Sequence, residues 1–62
     1  MIQSQVIEVD GRFVGAAVRQ AGGWRFVAVD VRLDGIDGRV MPSVEAVSAL
    51  ARATSLGERG LH

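Results

Sequence analysis

The chain has 62 residues in which seven Arg balance seven Asp plus Glu, with one His and no Cys, Lys or Tyr. A length of this order makes one domain that buries only about 60% of the surface its unfolded chain exposes, with no room for a second domain or a large enclosed cavity. The missing Cys removes disulfides, thiolate zinc sites and thiol nucleophiles, and charge that cancels within each half leaves neither a basic nor an acidic tail.

Asp10-Gly11 sits between apolar-rich runs and is the strongest short hairpin signal, because both corners of such a turn need positive φ. Gly22-Gly23 supplies a second turn. The runs over residues 3–9, 12–19 and 24–31 hold much Val with Ile, Phe and Trp, which suits a pleated surface. Connections this short make consecutive strands antiparallel neighbours, so a three-stranded meander is expected. Periodicity then breaks. Asp34-Gly35 and Asp37-Gly38 mark an irregular loop or paired turns, and Arg39-Val40-Met41 can add a short extended piece.

Pro42-Ser43 opens a helix, with the Ser43 hydroxyl placed to accept from an orphan N–H of the first turn. Glu45 suits the positive end of the helix dipole. Val44, Val47, Leu50 and Ala51 form one apolar stripe at three- and four-residue spacing, which weakens at Thr54, and Gly57 is the expected stop. The order is β-β-β-loop-α, an α+β domain over residues 1–57 with a flexible tail over 58–62.

Counting outward from the turns assigns faces. A two-residue Asp10-Gly11 turn pairs Val9 with Arg12 and Ile7 with Val14, and a two- or four-residue second turn preserves parity. One face then carries Ile7, Val9, Val14, Ala16, Val18, Val27, Val29 and Val31, with Arg12 and Arg25 near the hairpin ends. The other carries Val6, Phe13, Gly15, Ala17, Trp24, Phe26 and Ala28, interrupted by Glu8, Arg19 and Asp30. Both are apolar, whereas small antiparallel sheets usually leave one face wet. One helix cannot cover both. A second copy in a twofold arrangement is the simplest cover, with strand or helix exchange as a variant. The helix is placed on the aliphatic face, leaving Phe13, Trp24 and Phe26 as interface anchors and Gly15, Ala17 and Ala28 to permit close approach. The small residues also allow the converse, with the helix between Phe13 and Phe26. A monomer whose loop and tail fold across the second face is the remaining alternative.

Candidate chemistry is sparse. Asp30, Asp34, Asp37 and Glu45 cluster around the loop, but their spacing is not that of a calcium loop, and Asp-Gly pairs are ordinary turn formers. His62 is the last residue and offers no positioned base to Ser4, Ser43, Ser48, Thr54 or Ser55. No catalytic, metal or cofactor-binding set emerges, and the expectation is a protein that is not an enzyme and needs no cofactor. Gly22-Gly23 joins strands, not a strand and a helix, and so is no phosphate loop. Arg19, Trp24 and Arg25 combine guanidiniums with a stacking ring, as single-strand nucleic-acid binders do; zero net charge argues against that partner.

Gly22-Gly23-Trp24-Arg25-Phe26-Val27-Ala28-Val29-Asp30, Leu33-Asp34-Gly35 and Ser43-Val44-Glu45-Ala46-Val47 together resemble the core of HicB-type antitoxins. The resemblance covers residues 13–54, lacks the Pro of that family's turn and has no DNA-binding segment after the helix. It implies a toxin partner and dimerisation. The longest apolar run, residues 13–18, is far short of the ~20 residues that span a bilayer. With no leader pattern at the start, the expected setting is cytoplasmic. The function read from the sequence is a small non-catalytic interaction or structural module that forms a homodimer, with a further protein partner left open. The alternative is an antitoxin-like or nucleic-acid-contacting regulator.

Overall fold

The computed structural model describes residues 3–60, the last four by backbone alone. Asp10 and Gly11 have φ of 54° and 78°, the two left-handed corners that a tight hairpin needs, and they join β1 (Ser4–Val9) to β2 (Arg12–Gln20). The second turn has Ala21 and Gly22 at its corners, one residue earlier than expected, because Gln20 faces Gly23. Only Gly22 is left-handed there, with φ of 86°, and β3 (Gly23–Ala28) follows. A 3-10 helix, Val31–Ile36, leads to β4 (Val40–Met41) and then α1 (Val44–Gly60).

The result is an antiparallel sheet in the order β1-β2-β3-β4 plus one C-terminal helix, an α+β fold. The expected three strands are therefore four. The short piece around Val40 pairs with β3, Met41 facing Trp24 and Val40 facing Arg25. β3 also ends sooner than residue 31. The Ala28 N–H donates to Asp37 Oδ1 at 2.8 Å, and the Val29 and Asp30 N–H groups both turn to the Val14 carbonyl, at 3.0 and 3.2 Å.

Ser43 caps α1 as its sequence implies: its hydroxyl oxygen accepts from the Ala46 N–H at 3.1 Å. The helix does not stop at Gly57 but runs to Gly60. Glycine inside a helix costs about 1 kcal/mol relative to alanine, which weakens a helix without ending it unless the chain turns left-handed. Leu61 and His62 of the expected tail lie outside the described residues.

The face assignment needs one correction with large consequences. Val9 faces Arg12 and Glu8 faces Phe13, but Ile7 faces Gly15, so Val14 is an extra residue in β2. This β-bulge reverses parity between the two halves of the first hairpin. Ile7 and Val9 therefore share a face with Ala17 and Phe26, and Phe13 turns to the opposite side. The second hairpin keeps its expected parity, with Arg19 against Trp24, Ala17 against Phe26 and Gly15 against Ala28.

The helix covers the face bearing Ala17 and Phe26, not the one on which the sequence favoured placing it. Ile7, Val9, Val14, Ala17 and Phe26 form the sheet's share of the core, with Val47 and Ala51 from α1 and Leu33 and Ile36 from the 3-10 helix. Leu33 and Ile36 stand three apart, the spacing that stacks side chains on one side of a 3-10 helix. Gly15, Ala17 and Phe26, expected at an interface between copies, are thus buried within one copy. Trp24 and Ala28 pack half-buried at the core margin, and Phe13 alone of that set is exposed.

Gly15 and Phe26 interlock. A Cβ at Gly15 would meet two Phe26 ring carbons at 2.7 Å and crowd the Val27 carbonyl oxygen. We therefore expect Gly15→Ala to destabilise the fold by about 1–3 kcal/mol through overpacking, and Phe26→Ala by about 3–5 kcal/mol through the cavity left behind. Urea unfolding checks both, and an unchanged midpoint for Gly15→Ala would mean that the ring does not rest there.

Candidate functional site

The acidic residues around the loop are occupied in holding it. Asp30, the N-cap of the 3-10 helix, accepts from the Arg32 N–H at 3.0 Å, Arg32 Nε at 3.1 Å and Arg32 Nη2 at 2.7 Å, with Arg12 Nη2 at 3.6 Å. Its pKa is lowered to about 2, chiefly by the Arg32 side-chain hydrogen bonds, then by the Arg32 backbone N–H and the charges of Arg32 and Arg12. Asp37 ties the end of β3, and Glu45 sits in the first turn of α1. Among the described residues no three His, Cys, Asp or Glu side chains converge as metal ligands, and no pocket is present.

The Arg19, Trp24 and Arg25 group is divided between faces. The Arg19 guanidinium carbon stands 5.4 Å from the Trp24 ring centroid, a cation–π contact on the side of the sheet that packs the core. Arg25 alternates to the other side, opposite Val40 and Val18. The ring and its two candidate guanidiniums therefore do not form one surface.

What the fold leaves open is the outer face of the sheet. Cross-strand pairing sets its residues in rows: Glu8 beside Phe13; Val6, Ala16 and Val27 in line; Ser4, Val18, Arg25 and Val40 in line. Val6 is 64% exposed, Phe13 54%, Val40 45% and Val27 39%, whereas Ile7, Val9, Ala17 and Phe26 on the inner face are buried beneath α1 and the 3-10 helix. Ala16 and Val18 between them are half-buried. Val29, just past β3, is also exposed. The only charged members of these rows are Glu8 and Arg25, and neither forms an ion pair among the described residues.

Of the residues that sequence reasoning placed at the interface, only Phe13 lies on this surface. Ala16, Val18 and Val27 were missed because the helix was placed on their face. Val6 was assigned to the open face with Phe13 but not among its anchors, and the bulge at Val14 that carries both over to Ala16 is not written in the alternation of apolar residues. The signal for Val40 was present in the short extended piece after the Asp-Gly turns. No family model, curated protein or solved structure matches the chain. No helix among the described residues is long and apolar enough to cross a membrane.

The Asp30 ion pairs give acid sensitivity a definite sign. A carboxyl whose folded pKa is about 2, against roughly 3.9 when unfolded, contributes stability that is complete above about pH 4 and lost as pH falls towards 2. Chemical denaturation of Asp30→Asn should accordingly show lower stability at neutral pH and a shallower decline between pH 4 and 2. A parallel decline in both proteins would deny Asp30 this role.

Proposed function

We propose that the protein is a non-catalytic interaction module whose working surface is the outer face of the sheet, and that this face is buried against a second copy of the chain. The observation that carries the reading is the apolar area formed by Val6, Phe13, Ala16, Val18 and Val27, with Val40 beyond Arg25 at the β4 edge, on the side of the sheet that neither α1 nor the 3-10 helix covers.

Magnitudes support it. These side chains leave on the order of 400 Å² of apolar surface in water, a size at which monomer patches are commonly functional. At ~25 cal/mol per Å² its burial is worth up to about 10 kcal/mol per copy, against an association cost of roughly 4–15 kcal/mol. The two are comparable, so a pair of such faces can reach a stable complex where one face against a polar surface does not. Two such patches bury about 800 Å² between them, so a specific interface, which usually exceeds about 1,000 Å², also has to draw in the polar residues at the margin of the face.

The module reading also fits what the polar residues do. Ser43 caps a helix, Thr54 Oγ1 donates to the Leu50 carbonyl at 2.8 Å, and Asp30 and Asp37 hold the loop. Each of these side chains has a local structural task.

Sedimentation or light scattering across concentration tests the proposal. The wild type should dimerise. Val27→Lys, which puts a charge within the patch, should weaken the dimer by at least about tenfold while leaving the circular dichroism of dilute protein unchanged. A wild type that stays monomeric up to roughly 1 mM would overturn it.

A further inference from the structure

We infer that the two copies stack outer face on outer face about a twofold axis running diagonally across the strands, so that Glu8 of each meets Arg25 of the partner subunit. This rests on the self-association proposed above and adds its geometry.

The outer face is a roughly rectangular grid, locally bent at the bulge between Phe13 and Ala16. Strands lie about 4.8 Å apart, and same-face residues recur about every 6.7 Å along a strand. Ala16 is at the centre, with Val6 and Val27 beside it across the strands and Phe13 and Val18 before and after it along β2. Glu8 occupies the β1 corner near the Asp10-Gly11 turn. Arg25 occupies the diagonally opposite position on β3, near the Ala21-Gly22 turn. Both are exposed.

A twofold axis lying between two such faces has four simple settings, and the charges separate them. An axis along the strands puts Arg25 over Ser4 of the partner subunit, and one across the strands puts Glu8 over Ser4 of the partner subunit. Either leaves charges without counter-charges at the margin of an apolar contact, which costs free energy. One diagonal superposes Glu8 on Glu8 of the partner subunit and Arg25 on Arg25 of the partner subunit, opposing like charges. The other diagonal pairs Glu8 with Arg25 of the partner subunit, and by symmetry does so twice, as an isologous contact requires.

The same rotation completes the apolar contact. Phe13 falls over Val27 of the partner subunit, Val6 falls over Val18 of the partner subunit, and the two Ala16 methyl groups meet on the axis, where small side chains let the layers approach. Strands of the two sheets then cross near a right angle, one of the two established ways for sheets to stack, at a separation of about 10 Å. Long Glu and Arg side chains span the few ångströms by which the grid departs from a square.

Charge reversal tests this arrangement. Glu8→Arg and Arg25→Glu should each weaken dimerisation by about tenfold or more, and the double variant should recover most of the loss. Circular dichroism should show all three folded, since both positions are exposed. As a second measurement, a mixture of Glu8→Cys and Arg25→Cys chains should be joined by a short thiol cross-linker faster than either variant is joined to itself; the wild type contains no Cys to compete. Single reversals that leave the affinity unchanged, or a double variant weaker than both, would overturn the diagonal arrangement. If in that case Val27→Lys still dissociates the wild-type dimer, self-association through the outer face stands and only its geometry fails.

Discussion

A sheet has two faces, and the described residues build cover for one. Every element outside the strands that carries apolar side chains into the core does so from the same side: Val47 and Ala51 from α1, Leu33 and Ile36 from the 3-10 helix. The loop that a monomer would need for the second face is thereby already used. Its Asp-Gly turns bring the chain back along β3 as β4, and Asp37 fastens it to the Ala28 N–H, so it has no slack with which to cross over. Burial of the inner face and exposure of the outer one are two consequences of the same short connection.

Which residues fall on which side depends on one position. Without the extra residue at Val14, Ile7 and Val9 would point away from Phe26, and the core would lose the β1 contribution that closes it against α1. With it, Phe13 and Val6 move together to the outer side and join Ala16 and Val27. A bulge exchanges the side-chain sets of one strand end for those of the other without changing composition. That is why the order of elements, the two turns, the Ser43 cap and the presence of two apolar faces were legible in the sequence, while membership of the faces was not. Alternating Val, Ile and Ala suit both sides equally, and nothing in residues 12–18 marks where the extra residue belongs. The Leu33 and Ile36 contribution was hidden for a different reason. Two apolar residues among Asp-Gly turns look like punctuation until a 3-10 helix aligns them.

The charged residues divide in an informative way. Asp30 with Arg32 and Arg12, Asp10 with Arg52, and Arg19 over Trp24 are satisfied within the chain. Exposed ion pairs of this kind add little to stability individually, but each fixes a turn, a loop or a ring in place. Glu8 and Arg25 are set apart from them by standing on the outer face with no ion pair among the described residues. A face with one acid and one base at opposite corners has no net charge to offer a strongly charged partner, and under the proposed dimer each charge meets its opposite on the other copy.

The alternative route to assembly is the edge of β1, six residues long and without proline. Unpaired strand edges invite addition of another strand. Yet edge pairing does not answer the constraint set by the fold. β4 is two residues long and gives a poor template at the opposite edge, so growth from β1 onto β4 of a further copy gains few hydrogen bonds. Pairing of β1 with β1 of a second copy would make a closed dimer, but the outer faces would lie side by side in one wider layer and remain in water. Face stacking removes the same apolar area from solvent in both copies at once, and it leaves β1 at the rim, where Glu8 and the polar Ser4 and Gln5 discourage further addition. On the proposed assembly the free-energy gain lies in the face, and the edge adds little to it.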